Sequence, residues 1–285
     1  MSVESYWAQL DDELARFPAR PVLEPAPARS TEDFTGYDVR LSGLGSYRLF
    51  GYLSVPTGSG RFPGLLELPR HGSVNHAPHY NDRLRYVVFT LMHRGQRRAD
   101  SPFAATYPGL FTQHLTDPAS YVYRGIVADC LRAAEFLSGR PEVDTAAIGV
   151  TGDDLALLTA ARRPVFSAVK VTSALLHDAL ARRLDTSEYP LEELNDHLRA
   201  RPEDAEDIAR TLELFEPARH ASAVKAPTLL AVPSGSSPWR ADLSAALGEH
   251  VETYQRTDED AVDAAALDAW LAGRLGVEPM RRFIT

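Results

Sequence analysis

Cysteine is nearly absent. Cys130 is the single one in 285 residues, so no internal disulfide can form, and its place in an apolar helical pattern reads as a core thiol in a reducing compartment. Long hydrophobic runs are missing as well. No apolar stretch approaches the roughly 20 residues that span a bilayer, which excludes a membrane-spanning helix and gives no reason to expect a membrane partner. Basic residues are outnumbered, 30 Lys and Arg against 39 Asp and Glu, for a formal charge of −9. Neutralising a phosphate backbone needs a basic surface, so nucleic acid is not an expected partner. The opening MSVESYWAQLDDELARF has the pattern of an acidic amphipathic helix rather than a basic and then apolar leader. A cytoplasmic protein is expected.

What is present is enough apolar material, 44% of residues, to bury a large core, with no internal repeat, low-complexity tract or linker to divide it. Residues 1–285 therefore read as one domain, with 1–35 as an N-terminal helical extension. Alternating patterns at 37–44 and 47–56, separated by Gly45-Ser46, predict an antiparallel pair at a sheet edge. Short apolar runs at 64–68 and 86–91 predict strands buried on both faces, and further strands are expected at 147–151, 168–172, 227–232 and 250–254. Helical spacing covers 119–138 and 261–275. This βα alternation predicts an α/β fold around a mostly parallel central sheet. Between 173 and 220 the strands stop and LLHDALARRL, EELNDHLRA and EDAEDIARTLELF follow, a helical insertion before the last two strands that reads as a lid or an oligomer contact. The acidic runs EELND and EDAED read as solvated helix faces.

The stretch AAIGVTGDDLALLTAA, 146–161, runs from a strand through Gly152 straight into a helix, the sharp turn that commonly presents a nucleophile. Together with HRGQ at 93–96 and YPGLFTQHLTDPASYVYRGIVADCLRAAEFLSGRPEVDTAAIGVTG at 107–152, it resembles the acetyl xylan esterase / cephalosporin C deacetylase family, carbohydrate esterase family seven. The resemblance runs over nearly the whole chain. It implies an α/β-hydrolase fold and, in relatives, deacetylation of acetylated sugars and related small esters, commonly in hexamers, so a homo-oligomer is expected. No cofactor is implied.

Against that family pattern three catalytic roles have changed chemical type. Gly152-Asp153-Asp154-Leu155-Ala156 stands where the family has G-x-S-Q-G, with Asp154 in place of the serine. In AVPSGSSPW, Ser234 falls where the family's aspartate would be, with Gly235 as the nearest shifted choice. In TYQRTDEDAVD, Glu259, followed by Asp260, takes the place of the histidine. Serine acyl transfer needs a hydroxyl proton, an imidazole to take it and a carboxylate to orient that imidazole, and losing a triad member typically costs on the order of 10⁴ to 10⁶ in turnover. The oxyanion donors should be the Leu155 N–H and one from PRHGSVNH, and a carboxylate at Asp154 is expected to occupy that hole itself. The sequence thus predicts a degenerate site and a pseudoenzyme that retains a pocket for a small-molecule or acetylated-carbohydrate-like ligand, with His71, Arg94, Gln96, Asp153, Asp154, Leu155 and Glu259 as candidate binding residues.

Two other readings stay open. Haloalkane dehalogenases and soluble epoxide hydrolases place an aspartate at this elbow, which would make Asp154 a nucleophile. They also need a histidine to activate water, and His250 falls at the wrong end of the last strand, leaving His71. Alternatively His71, His76 and His79 with Asp154 and Glu259 could offer nitrogen and oxygen ligands to a divalent ion. Bland readings stand beside these: the histidines as loop polar residues, Asp153 as a helix cap, and Arg94, Gln96 and Arg124 as residues that maintain the fold.

Overall fold

Buried apolar runs set the strands. In the computed structural model, which describes residues 2–72, 76–232, 239–257 and 259–280, every residue of β5 (Val87–Met92), β7 (Ala168–Val171) and β8 (Thr228–Val232) is buried, as strands covered on both faces require. With β4 (Phe62–Glu67), β6 (Val143–Gly152) and β9 (Val251–Gln255) they pair in parallel. β2 (Phe34–Ser42) and β3 (Arg48–Pro56) form the expected antiparallel pair, and β3 joins β5. One strand was not expected: β1 (Val22–Pro25) adds antiparallel to β2. Within the expected N-terminal extension the described residues 2–33 hold a helix, α1 (Val3–Ala15), followed by this edge strand, too short and too closely flanked by prolines to show a period. The sheet order is β1-β2-β3-β5-β4-β6-β7-β8-β9.

Helices cover both faces. α3 (Val122–Ser138) and α4 (Asp154–Arg162) pack on one, with α1 against α3, and α10 (Asp260–Leu275) packs on the other against β6 and β7. Gly149 lets α10 approach, since a Cβ there would lie 3.0 Å from Leu275 and 3.2 Å from Leu271. α2 (Tyr80–Arg85) is tied to α10 by Arg85, which pairs with Asp268 at 2.6 Å and with Asp82 at 2.9 Å. Cys130 is wholly buried in α3, and burial pushes its thiol well above the usual range. No helix among the described residues is long and apolar enough to cross a membrane.

The insertion holds α5 (Ala179–Arg182), α6 (Glu192–Ala200), α7 (Ala205–Phe215) and α8 (Pro217–His220); α9 (Trp239–Leu247) lies between β8 and β9. LLHDALARRL is helical over far less of its length than its pattern predicts. The N–H groups of Leu175 and Leu176 go to the Asp154 carboxylate, and Asp178 takes the left-handed backbone at φ 48°, so a regular helix starts only after it. EELND is also not wholly solvated, because Glu193 is buried.

Candidate functional site

The end of β6 turns into α4 at Asp153, whose backbone lies at φ −95°, ψ −149°. Residues with positive φ do not include any from Gly152 to Leu155, so the turn lacks the strained apex that presents a nucleophile. Asp153 is the N-cap, and its Oδ1 accepts the Leu155 N–H at 2.9 Å, the reach expected of a capping carboxylate. Burial pushes its carboxyl up to about 6, while the N–H groups of Leu155 and His71 and the Arg70 guanidinium pull it back. These two N–H groups come from the segments expected to furnish oxyanion donors. The carboxylate that occupies them belongs to Asp153 and not, as the sequence suggested, to Asp154.

Asp154 points elsewhere. It is fully buried, and its Oδ2 accepts the Leu175 N–H and, at 2.5 Å, the Leu176 N–H. Its Oδ1 has no hydrogen-bond partner among the described residues. Burial, then the Asp153 carboxylate beside it, pushes Asp154 up to about 7 against the two N–H donors and the Arg182 charge. Arg182 in turn donates to the carbonyls of His177 at 2.9 Å and Ala174 at 3.0 Å. Asp154 thus clamps the first loop of the insertion onto the start of α4.

His71 does reach the cleft, but both ring nitrogens face other partners. Nδ1 lies 2.8 Å from the Tyr123 hydroxyl, and Nε2 lies 3.7 Å from Glu193 Oε1. Glu193 is held by the Phe111 N–H at 2.9 Å. Burial raises the Tyr123 phenol well above its ordinary range, which makes it a poor proton donor. Sequence reasoning missed Glu193; its signal was position, next to Leu194 on the inward face of α6. Arg70, His71, Asp153, Leu175, Arg182 and Tyr189 are among the residues lining a cleft of about 530 Å³, whose wall includes Asp153 but not Asp154.

The remaining candidates do not converge here. Ser234 and Gly235 lie outside the described residues. Glu259 is an exposed residue at the N-cap of α10 and lines neither this cleft nor the one to which His76 and His79 belong. Among the described residues no three His, Cys, Asp or Glu side chains are grouped to hold a metal ion, so the five candidate ligands are not brought together. His250 precedes β9 in a single 3₁₀ turn. Arg94 and Gln96 brace the fold: Arg94 grips fully buried Asp129 through two bonds of 2.8 and 2.7 Å, and Gln96 Oε1 accepts the His93 N–H at 3.1 Å. Gly125 leaves room for this pair, since a Cβ there would lie 2.5 Å from the Arg94 guanidinium. Arg124 pairs with Glu13 of α1 at 2.9 Å.

Comparison with known proteins agrees with this architecture. The acetyl xylan esterase from Paenibacillus sp. R4 superimposes with a TM-score of 0.81 at 23% identity, covering 95% of this chain and 94% of that one. Acetyl xylan esterase 1 from Thermoanaerobacterium sp. JW/SL YS485 gives 0.76 at 20% identity, over 94% and 92%. A Mycobacterium tuberculosis puromycin-hydrolyzing peptidase gives 0.61 at 16% identity, over 93% of this chain but 42% of that one. At these identities the likeness shows the shared α/β-hydrolase fold. The family assignment rests on the sequence profile of acetyl xylan esterases, which matches residues 2–234, and on that ground the chain belongs to the acetyl xylan esterase family.

Proposed function

We propose that this protein is an acetyl xylan esterase-like pseudoenzyme, one that has lost carboxylic-ester hydrolysis and works by binding a small, acetylated-carbohydrate-like ligand or by scaffolding. The observation that carries the reading is the pair of carboxylates at the elbow. Asp154, at the serine's position, is sealed beneath Leu175 and Leu176, and Asp153 caps the helix where a developing oxyanion would need the N–H. The cleft beside them, with Tyr189 and Arg182 in its wall, keeps the concave form of a ligand site.

An aspartate nucleophile is the second reading. It would require Asp154 to meet substrate and a histidine to activate water; the enclosure of Asp154 and the engagement of His71 by Tyr123 and Glu193 weigh against it. Assembly into homo-oligomers through residues 173–220, where Leu184 and Tyr189 are exposed, belongs to the same proposal. The test is proton NMR with acetylated xylo-oligosaccharides. Saturation transfer from protein to sugar with no free acetate is expected, and acetate accumulating in proportion to protein would contradict the loss of hydrolysis.

A further inference from the structure

Residues 174–178 form part of the wall of the cleft beside the elbow and separate it from a groove of about 200 Å³ over α7. Ala174, Leu175 and Asp178 line the cleft, and Leu176 and Asp178 line the groove. Backbone pairing does little to hold this segment. Among the described residues one backbone–backbone bond reaches 174–177, from the Ala179 N–H to the Leu176 carbonyl at 3.4 Å, beyond the usual length. The stronger ties end on ionisable side chains. Asp154 takes the N–H groups of Leu175 and Leu176. Glu216, the N-cap of α8, accepts the Asp178 N–H at 2.8 Å and lies 2.5 Å from His177 Nδ1. Arg182 donates to the carbonyls of Ala174 and His177.

The closed wall is favoured by burial of Leu175 and Leu176 in the core, so an open form is a minority. Two features oppose closure: Asp154 Oδ1 is buried with no hydrogen-bond partner among the described residues, and Asp178 holds the left-handed backbone, a costly conformation outside glycine. Closure also takes up protons. Asp154 faces Asp153 on α4 and Arg182 on α5, and burial first, then Asp153, pushes it up to about 7. Opened to water, it returns to the ordinary carboxylate range. Burial works against the His177 imidazolium, but Glu216, then Asp154 and Asp178, raise it overall. Both groups therefore hold protons more tightly when the wall is shut, and the preference for the shut form falls as pH rises through their closed values. Glu216 moves the other way: against burial, His177 and the Asp178 N–H hold it below its ordinary range, so it stays ionised across neutral pH.

We infer that residues 174–178 are a proton-linked latch: Asp154, His177 and Glu216 hold the cleft wall shut, and loss of protons from the first two lets it open and exposes the elbow beneath. That the latch gates a ligand rests on the reading of the cleft as a ligand site; the latch itself does not. Amide hydrogen exchange, read by mass spectrometry at pH 6, 7 and 8 without ligand and corrected for intrinsic exchange, tests it. The loop is expected to exchange faster than β7, and its protection to fall about tenfold or more from pH 6 to pH 8. Arg210→Gln, whose side chain pairs with Asp207 on the surface, should keep that slope. Asp154→Asn should remove about tenfold of the fall, and Asp154→Asn with His177→Gln all of it. Should Asp154→Asn lose its folded circular dichroism, His177→Gln alone is expected to make the slope shallower. A loop protected as strongly as β7, or a slope these variants leave unchanged, overturns the latch. Because no sugar takes part, the outcome is independent of the saturation-transfer test of the ligand site.

Discussion

Asp153 and Asp154 are adjacent and both buried, yet they serve different partners. Among the described residues Asp154 is the sole acceptor for two N–H groups at the start of the insertion. Asp154→Ala is expected to destabilise the fold by about 1–3 kcal/mol, the cost of leaving buried donors unmet, and Asp154→Asn, which keeps one acceptor oxygen, by less; urea unfolding measures both. Protonation has a definite sign here. The folded carboxyls titrate at about 6 and about 7, above their unfolded range, so between the ordinary carboxylate pKa and about 7 the folded chain binds more protons. Their contribution to stability is therefore fullest below the unfolded pKa, falls as pH rises through those values, and levels above about 7. Asp154→Asn should flatten the upper part of that fall in the unfolding free energy; an unchanged profile would count against a buried, titrating Asp154. That an aspartate stands in G-D-D-L-A where the resemblance puts a serine was legible in the sequence itself. Which carboxylate would take the Leu155 N–H was not, because that choice rests on the cap geometry of α4. Glu193 was hidden for a similar reason: inside EELND, only tertiary packing separates the one inward glutamate from its solvated neighbours.

At the scale of elements, the helical insertion starts late because its first donors are spent on Asp154 at the start of α4. The sequence pattern of LLHDALARRL carries helical spacing, and local periodicity cannot register that Asp154, 21 residues upstream of Leu175, competes for its N–H. Strands buried on both faces were easier to read, since β5, β7 and β8 are mostly apolar runs, each holding one polar residue (Thr90, Lys170 and Thr228), whereas β1 has four residues and no readable alternation. The contact between the RGQ and YRG segments is a second element-level device. Arg94 and Asp129 pair inside the space that Gly125 leaves, so Gly125→Ala should force the guanidinium off its partner. A loss of about 1–3 kcal/mol, in the range of overpacked cores, is expected from thermal or urea unfolding, and a neutral result would mean that α3 can shift away from the loop.

Across the whole molecule the α/β-hydrolase framework is kept, and the proposed loss of hydrolysis rests on the two carboxylates that stand at the elbow. The chain follows acetyl xylan esterases over nearly its full length, and Asp153 and Asp154 stand just past the end of β6, where α/β folds place their chemistry. If the exposed Leu184 and Tyr189 of the insertion form a contact between copies, light scattering after size exclusion should give an oligomer that Leu184→Asp with Tyr189→Asp reduces; a monomeric wild type would remove that part of the proposal. The central claim, that the elbow can hold a ligand but cannot cleave an ester, is met most directly by p-nitrophenol release from p-nitrophenyl acetate. Wild type, Asp154→Asn and Arg210→Gln should give the same rate, no faster than an equal amount of an unrelated protein. Turnover shared by wild type and Arg210→Gln and abolished in Asp154→Asn would contradict it.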